Sequence, residues 1–214
     1  GNVGREMLNI LSERDFPCEE VIALASERSE GDAVPFGNKE LIVQNLSSYD
    51  FSETSIALFS AGGQISEVYG PIAAEQGCIV IDNSSKFRMD NDVPLIVPEV
   101  NIEMLEHYRT TNIIANPNCS TIQMVVALKP LEDLASINRI NVSTYQSTSG
   151  AGKAAMEELF NQTKGIFSNQ EVQPESFTKQ ISFNVIPQIG PFLENGNTEE
   201  EQKMINETKK IMRP

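Results

Sequence analysis

Tryptophan is absent from the 214 residues, histidine occurs once and cysteine three times. No apolar run approaches the ~20 residues of a membrane-spanning helix, which excludes a helical integral membrane protein. One histidine and three widely spaced cysteines supply no cluster with metal-ligand spacing, so no metal site is expected. The cysteines cannot build a disulfide framework either, and a reducing, cytoplasmic setting is expected. Basic side chains are scarce: 16 Lys and Arg stand against 30 Asp and Glu, for a net charge of −14. With no basic stripe, a nucleic-acid partner is not expected. No methionine opens the chain, which begins Gly1, Asn2, Val3, Gly4 and stops inside a charged helical pattern; it reads as cut at both ends.

At 40% hydrophobic residues there is enough apolar material for a core. Short apolar runs alternate with longer amphipathic stretches, the pattern of βαβ units on a parallel sheet. Expected strands are Val21–Ala25, Leu41–Val43, Ile56–Phe59, Cys78–Ile81 and Asn112–Ala115. Expected helices are Val3–Arg14, a stretch ending at Glu75, and Ser120–Leu131. The texture changes after about residue 117. Ile137–Gln146 alternates like a strand of a mixed or antiparallel sheet, and Phe160–Pro191 shows little periodicity. Thr198–Arg213 reads as a polar helix capped by Thr198. The fold expected is α/β: a doubly wound, Rossmann-like domain over 1–116, followed by an α+β domain with a mixed sheet over 117–214.

Gly1 and Gly4 open straight into the first helix. In a dinucleotide-binding turn such glycines let the backbone approach a pyrophosphate seated on the helix N-terminus, bringing Gly1, Asn2, Val3 and Gly4 to the cofactor. A plain loop fits the same residues. Where NAD-specific folds place an acid for the ribose hydroxyls, the next strand runs into Ser26, Arg28 and Ser29. These suit an extra 2′-phosphate and favour NADP, although a solvated turn containing Glu27 accounts for them as well. Ser60, Gly62 and Gly63 end another strand with small residues that permit close contact, or simply a tight turn.

Cys18 in a loop and Cys78 in an apolar strand read as structural. Cys119 follows Asn116, Pro117 and Asn118 at the first turn of a helix. There the helix dipole and open N–H groups favour a thiolate and can hold an oxyanion, so Cys119 reads as a nucleophile, with a packing cysteine as the alternative. His107 lies in a polar stretch away from every motif and reads as a surface residue, so no general base is visible.

These residues carry a resemblance. Gly1–Gly4, Ala25–Ser29, Asp82–Arg88, Pro94–Asn101, Asn116–Thr121, Tyr145–Gly150 and Thr198–Lys203 are similar, in the same order, to the aspartate-β-semialdehyde dehydrogenase family, and the likeness covers essentially the whole chain. The resemblance implies NADPH-dependent reduction of β-aspartyl phosphate to aspartate semialdehyde with release of phosphate, in biosynthesis of lysine, threonine, methionine and isoleucine. It implies that Cys119 forms a thioester and that Gln146 orients the substrate. Arg88, Asn118 and Lys203 would hold phosphate, and Glu200 the substrate ammonium. Ser149 and Gly150 would approach the nicotinamide, and Gly4, Arg28 and Ser29 the cofactor phosphates. It further implies a first strand before Gly1, a general-base histidine and a carboxylate-binding arginine after Pro214, and a homodimer or homotetramer; the 214 residues alone are then expected to be inactive.

Three other functions compete, the most distant being a glyceraldehyde-3-phosphate dehydrogenase, whose Ser-Cys-Thr-Thr-Asn signature is absent. An N-acetyl-γ-glutamyl-phosphate reductase would share the fold and thioester chemistry, but its cysteine usually sits after Pro-Gly. A non-catalytic nucleotide-binding module would have no need of Arg88, Cys119, Gln146, Glu200 and Lys203 together.

Overall fold

Parallel pairing of short β-branched runs builds the first part of the chain, described over residues 1–212 by a computed structural model. Strands β5 (Ile56–Phe59), β6 (Ile79–Asp82) and β7 (Ile113–Ala115) lie side by side in that order, with Ala57 opposite Val80 and Val80 opposite Ile113. Parallel neighbours need long crossovers, and α2 (Gly63–Glu75) supplies the one between β5 and β6. On β6, the middle strand, Val80 and Asp82 share one face and are fully buried, while Ile79 and Ile81 on the other face are half-buried. Phe51, Phe59, Ala73, Val97, Val125 and Ile211 pack around this strand. Each fully buried Val, Ile or Phe side chain contributes ~1.5–3 kcal/mol of transfer free energy. Gly70 of α2 lets the Phe87 ring approach, since a Cβ there would sit 3.1 Å from it.

Two smaller ladders precede this sheet. β1 (Leu24–Ala25) pairs parallel with β4 (Gln44–Asn45). β2 (Ala33–Phe36) and β3 (Lys39–Ile42) form an antiparallel hairpin. The expected parallel strand around Leu41–Val43 is therefore one arm of that hairpin, and the run from Val21 shortens to the two residues that find a partner. The hairpin loop is Gly37-Asn38 with Gly37 at φ 58, the backbone a tight two-residue connection demands. Gly37 also sits against α1 (Asn2–Glu13), where a Cβ would come 2.4 Å from the Ser12 Oγ. After β6, α3 (Pro98–Asn101) and a 3₁₀ stretch (Ile102–Thr110) lead to β7, with His107 exposed on that stretch.

Helix α4 (Cys119–Glu132) follows β7 and buries Thr121 and Val125. Helices α5 (Lys153–Phe167) and α6 (Glu199–Met212) come later. The expected end of α6 at Arg213 lies outside the described residues. Thr198 starts α6 with a reciprocal capping box: its hydroxyl accepts the Glu201 N–H at 3.3 Å, and its own N–H donates to the Glu201 carboxylate at 2.6 Å. The chain divides into two compact units, Gly1–Ser136 with the segment from Met204 onward, and Ile137–Lys203. Among the described residues, no helix is long and apolar enough to cross a membrane.

The second unit departs from the pattern read in the sequence. Ile137–Gln146 forms no strand: it has no ladder partner among the described residues and its alternating side chains are mostly exposed. Helix α5, not anticipated, organises the segment that lacks periodicity. Two buried polar side chains one turn apart do this. The Glu158 carboxylate accepts the N–H groups of Glu175 and Ser176, and the Gln162 carbonyl accepts those of Ile181 and Ser182 at 2.8 and 3.1 Å. The loop takes its shape from these backbone bonds rather than from an apolar face.

Burial raises the Cys78 thiol from its ordinary 9.0 to about 11. Between these values the unfolded chain gives up its proton first, so this stabilising contribution is complete below pH ~9 and is lost as pH rises towards about 11. Urea midpoints of the parent and of Cys78→Ala should therefore converge between pH 8.5 and 10.5. Parallel decline of the two proteins would contradict this assignment.

Candidate functional site

The C-terminal ends of β5, β6 and β7 lie on one edge of their sheet, and the segments leaving them carry Ser60, Gly62, Gly63, Arg88, Asn118 and Cys119. Asp82 closes β6, fully buried. Its carboxylate accepts the hydroxyls of Ser66 and Ser84, both at 2.6 Å, and so fixes the turn into Asn83 and Ser84. The Asn83 N–H continues the ladder to the Phe59 carbonyl at 2.9 Å, and the Asn116 N–H to the Asp82 carbonyl at 2.8 Å. The Asn83 and Asn116 side chains join at 2.7 Å, tying the end of β6 to the end of β7.

Arg88 lies behind these loops, 8% exposed. Its Nε donates to the Asn116 carbonyl at 3.0 Å and its Nη2 to the Asn83 carbonyl at 2.9 Å. Its Nη1 donates to the Glu207 carboxylate at 3.0 Å. A guanidinium has five N–H groups, so these bonds commit three of them to the protein itself. The other carboxylate oxygen of Glu207 accepts the backbone N–H of Asn118 at 2.8 Å. Asn118 is buried and N-caps α4, its Oδ1 accepting the Ser120 N–H at 3.0 Å. Cys119 is the first residue of that helix and is exposed. The structure thus brings Arg88, Asn118 and Cys119 together and adds Glu207.

Glu207 was not read from the sequence, yet a signal for it exists. Met204, Glu207 and Ile211 fall at i, i+3 and i+7, the buried stripe of α6. A carboxylate on a buried stripe must find a partner. Lys210, three residues further on, donates its three ammonium hydrogens to the carbonyls of Arg88, Asp90 and Val93 at 2.9, 2.7 and 2.9 Å. Its burial holds its pKa below the usual lysine value despite the nearby Asp90.

The glycine-rich elements meet in one place. Helix α1 starts at Asn2, right after Gly1, and the N–H of Arg5 closes the first turn on the Gly1 carbonyl. A Cβ on Gly4 would sit 3.5 Å from the Ser60 Oγ, so the start of α1 adjoins the end of β5. Val3 is exposed. Gly62, at φ 97, caps α2, which begins at Gly63. Ser26, Arg28 and Ser29 lie on the 3₁₀ turn after β1, with the Arg28 side chain exposed.

In the second unit, Gln146 lies across Gly150: a Cβ on Gly150 would fall 2.2 Å from the Gln146 Nε2. Ser149 is held by Ser147, whose side chain caps the 3₁₀ turn Thr148–Ala151. Lys203 pairs with Glu199 at 3.7 Å. Glu200 and Lys203 are three residues apart on α6 and so on one side of it.

Comparison with known proteins agrees along the chain. A family model described as "Semialdehyde dehydrogenase, NAD binding domain" matches residues 1–108, and one described as "Semialdehyde dehydrogenase, dimerisation domain" matches 128–214. Aspartate-semialdehyde dehydrogenase 2 of Vibrio cholerae is 56% identical over 99% of this chain and 63% of its own length. Aspartate-semialdehyde dehydrogenase of Aquifex aeolicus is 53% identical over the same shares. The chain thus spans about 63% of the length of these relatives. A crystal structure of Vibrio cholerae aspartate semialdehyde dehydrogenase II complexed with ASA superposes with TM-score 0.96 at 55% identity, over 98% of this chain and 62% of that one. The enzyme from Candida albicans with NADP gives 0.71 at 25% identity, over 99% and 57%.

Exposure sorts the three thiols: Cys18 and Cys119 are exposed and Cys78 is buried. Brief iodoacetamide treatment of the native protein should modify Cys18 and Cys119 and reach Cys78 only after denaturation, as peptide mass mapping will show. Early modification of Cys78 would contradict the packing around β6.

Proposed function

This chain belongs to the aspartate-semialdehyde dehydrogenase family, and on that premise we propose that it is the nucleotide-binding and nucleophile-bearing part of an NADPH-dependent oxidoreductase. The reaction proposed is reductive dephosphorylation of β-aspartyl phosphate to aspartate semialdehyde, in biosynthesis of lysine, threonine, methionine and isoleucine. The observation that carries the reading is the exposed thiol of Cys119 at the start of α4, one residue from the Asn118 peptide that Glu207 links to Arg88.

The Cys119 sulfur attacks the acyl carbon, the C–O bond to phosphate breaks, and inorganic phosphate leaves behind a thioester on the cysteine. NADPH, when bound, supplies the hydride that reduces this thioester. The resulting thiohemiacetal expels the Cys119 sulfur and yields the aldehyde. Arg88, Asn118 and Lys203 hold the phosphate, the remaining N–H groups of Arg88 serving the anion as a planar fork. Gln146 orients the acyl group, and Glu200 takes the substrate ammonium.

The residues at the start of α1 fit a dinucleotide. Gly4 brings the start of α1 beside the Ser60 hydroxyl, and no acidic residue stands in the first turn of α1 to repel a pyrophosphate. Gly1, Asn2, Val3, Gly4, Ser60, Gly62 and Gly63 would line the cofactor, with Ser26, Arg28 and Ser29 at a 2′-phosphate. Ser149 and Gly150 would meet the nicotinamide. We assign 1–116 to cofactor binding and 117–214 to catalysis and dimerisation. Exposed Phe160, Phe183 and Phe192 in the second part support assembly as a homodimer or homotetramer. Proton transfer is assigned to a histidine outside these 214 residues, which alone are expected not to turn over.

In the whole protein, reverse turnover of aspartate semialdehyde, inorganic phosphate and NADP⁺ should fall by at least ~10³-fold in Cys119→Ala, as for loss of a nucleophile. Arg28→Ala should erode the preference for NADP⁺ over NAD⁺ by about tenfold, the worth of one charge-assisted contact. Full activity in Cys119→Ala would refute the mechanism.

A further inference from the structure

Among the buried carboxylates, Glu207 is the one that touches Arg88 and the peptide before Cys119, and the mechanism gives it no task. Glu207 is 1% exposed and lies far along the sequence from the loops it touches. A carboxylate that served only to neutralise Arg88 would best do so with both oxygens on the guanidinium fork. Here the oxygens are divided: Oε1 takes the Arg88 Nη1 at 3.0 Å, and Oε2 takes the Asn118 backbone N–H at 2.8 Å. Both oxygens belong to one rigid planar group, so Glu207 sets the spacing between the guanidinium and the peptide that precedes Cys119.

The rest of the arrangement keeps that spacing from drifting. Arg88 is pinned on its other side by the Asn116 and Asn83 carbonyls. Asn118 is pinned by its bond to the Ser120 N–H. Three residues further along the same helix, Lys210 grips the carbonyls of Arg88, Asp90 and Val93, so the chain leaving Arg88 is held to α6 as well. We propose that Glu207 is a positioning residue for the reaction: it holds the Arg88 guanidinium and the start of the Cys119 helix at a fixed separation, so that phosphate held by Arg88 and carbon attacked by Cys119 belong to one substrate. This assignment rests on the roles given above to Cys119 and Arg88.

Glu207→Asp keeps the charge but shortens the reach by one carbon, so one carboxylate no longer spans both partners. Glu207→Gln keeps the length but sets an amide N–H against a guanidinium or a peptide N–H. For the whole protein assayed in the reverse direction, Glu207→Asp should raise the KM for inorganic phosphate at least fivefold and lower kcat at least tenfold. The KM for NADP⁺ should stay within twofold. Glu207→Gln should lose more of kcat, and where it does not fold, Glu207→Asp alone decides. In a second arm without turnover, inorganic phosphate protects Cys119 from iodoacetamide in the parent, and the half-protecting concentration rises at least fivefold in Glu207→Asp. A parent that protects Cys119 but does not turn over aspartate semialdehyde defeats the proposed function and leaves this arm to judge Glu207. A Glu207→Asp protein that fails to fold, or that folds with a lower Tm yet parental kcat, phosphate KM and protection, overturns the proposal in favour of a purely structural carboxylate.

Discussion

A charged guanidinium taken out of water is the constraint around which the first unit is arranged. Arg88 is buried at the C-terminal edge of the β5–β6–β7 sheet, where isolated charge is not tolerated and every committed N–H needs an acceptor. The acceptors come from three places: the loop after β6, the loop after β7, and α6, more than a hundred residues downstream. Removing one partner from such a buried pair typically costs ~3–5 kcal/mol, a large share of the stability of a domain. The C-terminal part of α6 is thereby tied to the first unit by polar bonds as well as by the packing of Ile211.

That constraint also explains the setting of the nucleophile. Asn116 offers its carbonyl to Arg88, Asn118 offers its N–H to Glu207, and the Asn118 side chain caps α4. Cys119 follows at once and faces solvent at a helix start, where the dipole and open N–H groups suit an anion. Asp82, with Ser66 and Ser84, sets the opposite turn in the same way, with a buried carboxylate satisfied by short local bonds. Polar side chains, rather than extra apolar surface, define the geometry of this edge.

Much of the fold was legible because local physics decided it. Strand β5, helices α1, α2 and α4 and the start of α6 fall within a residue or two of the expected bounds, since amphipathic periodicity and a cap such as Thr198 act over a few residues. Where pairing or burial depends on distant residues, the sequence pattern misled. Ile137–Gln146 alternates like a strand but forms no ladder, and the β2–β3 hairpin was announced only by Gly37-Asn38. Helix α5 hides its inward face because Glu158 and Gln162, which look like surface residues, are the buried anchors of the following loop. At the site, Cys119 could be singled out from its place before a helix, and Arg88 only through the family resemblance. Glu207 was overlooked because its partners lie more than eighty residues away in sequence.

The central claim is that Cys119 carries the acyl group, and one measurement reads it directly. The whole protein, given aspartate semialdehyde and NADP⁺ without phosphate, should produce about one equivalent of NADPH per chain and then stop. Mass mapping should find an aspartyl group on the peptide containing Cys119, released when inorganic phosphate is added. An unmodified Cys119 after that burst, or the acyl group on another residue, would contradict the account.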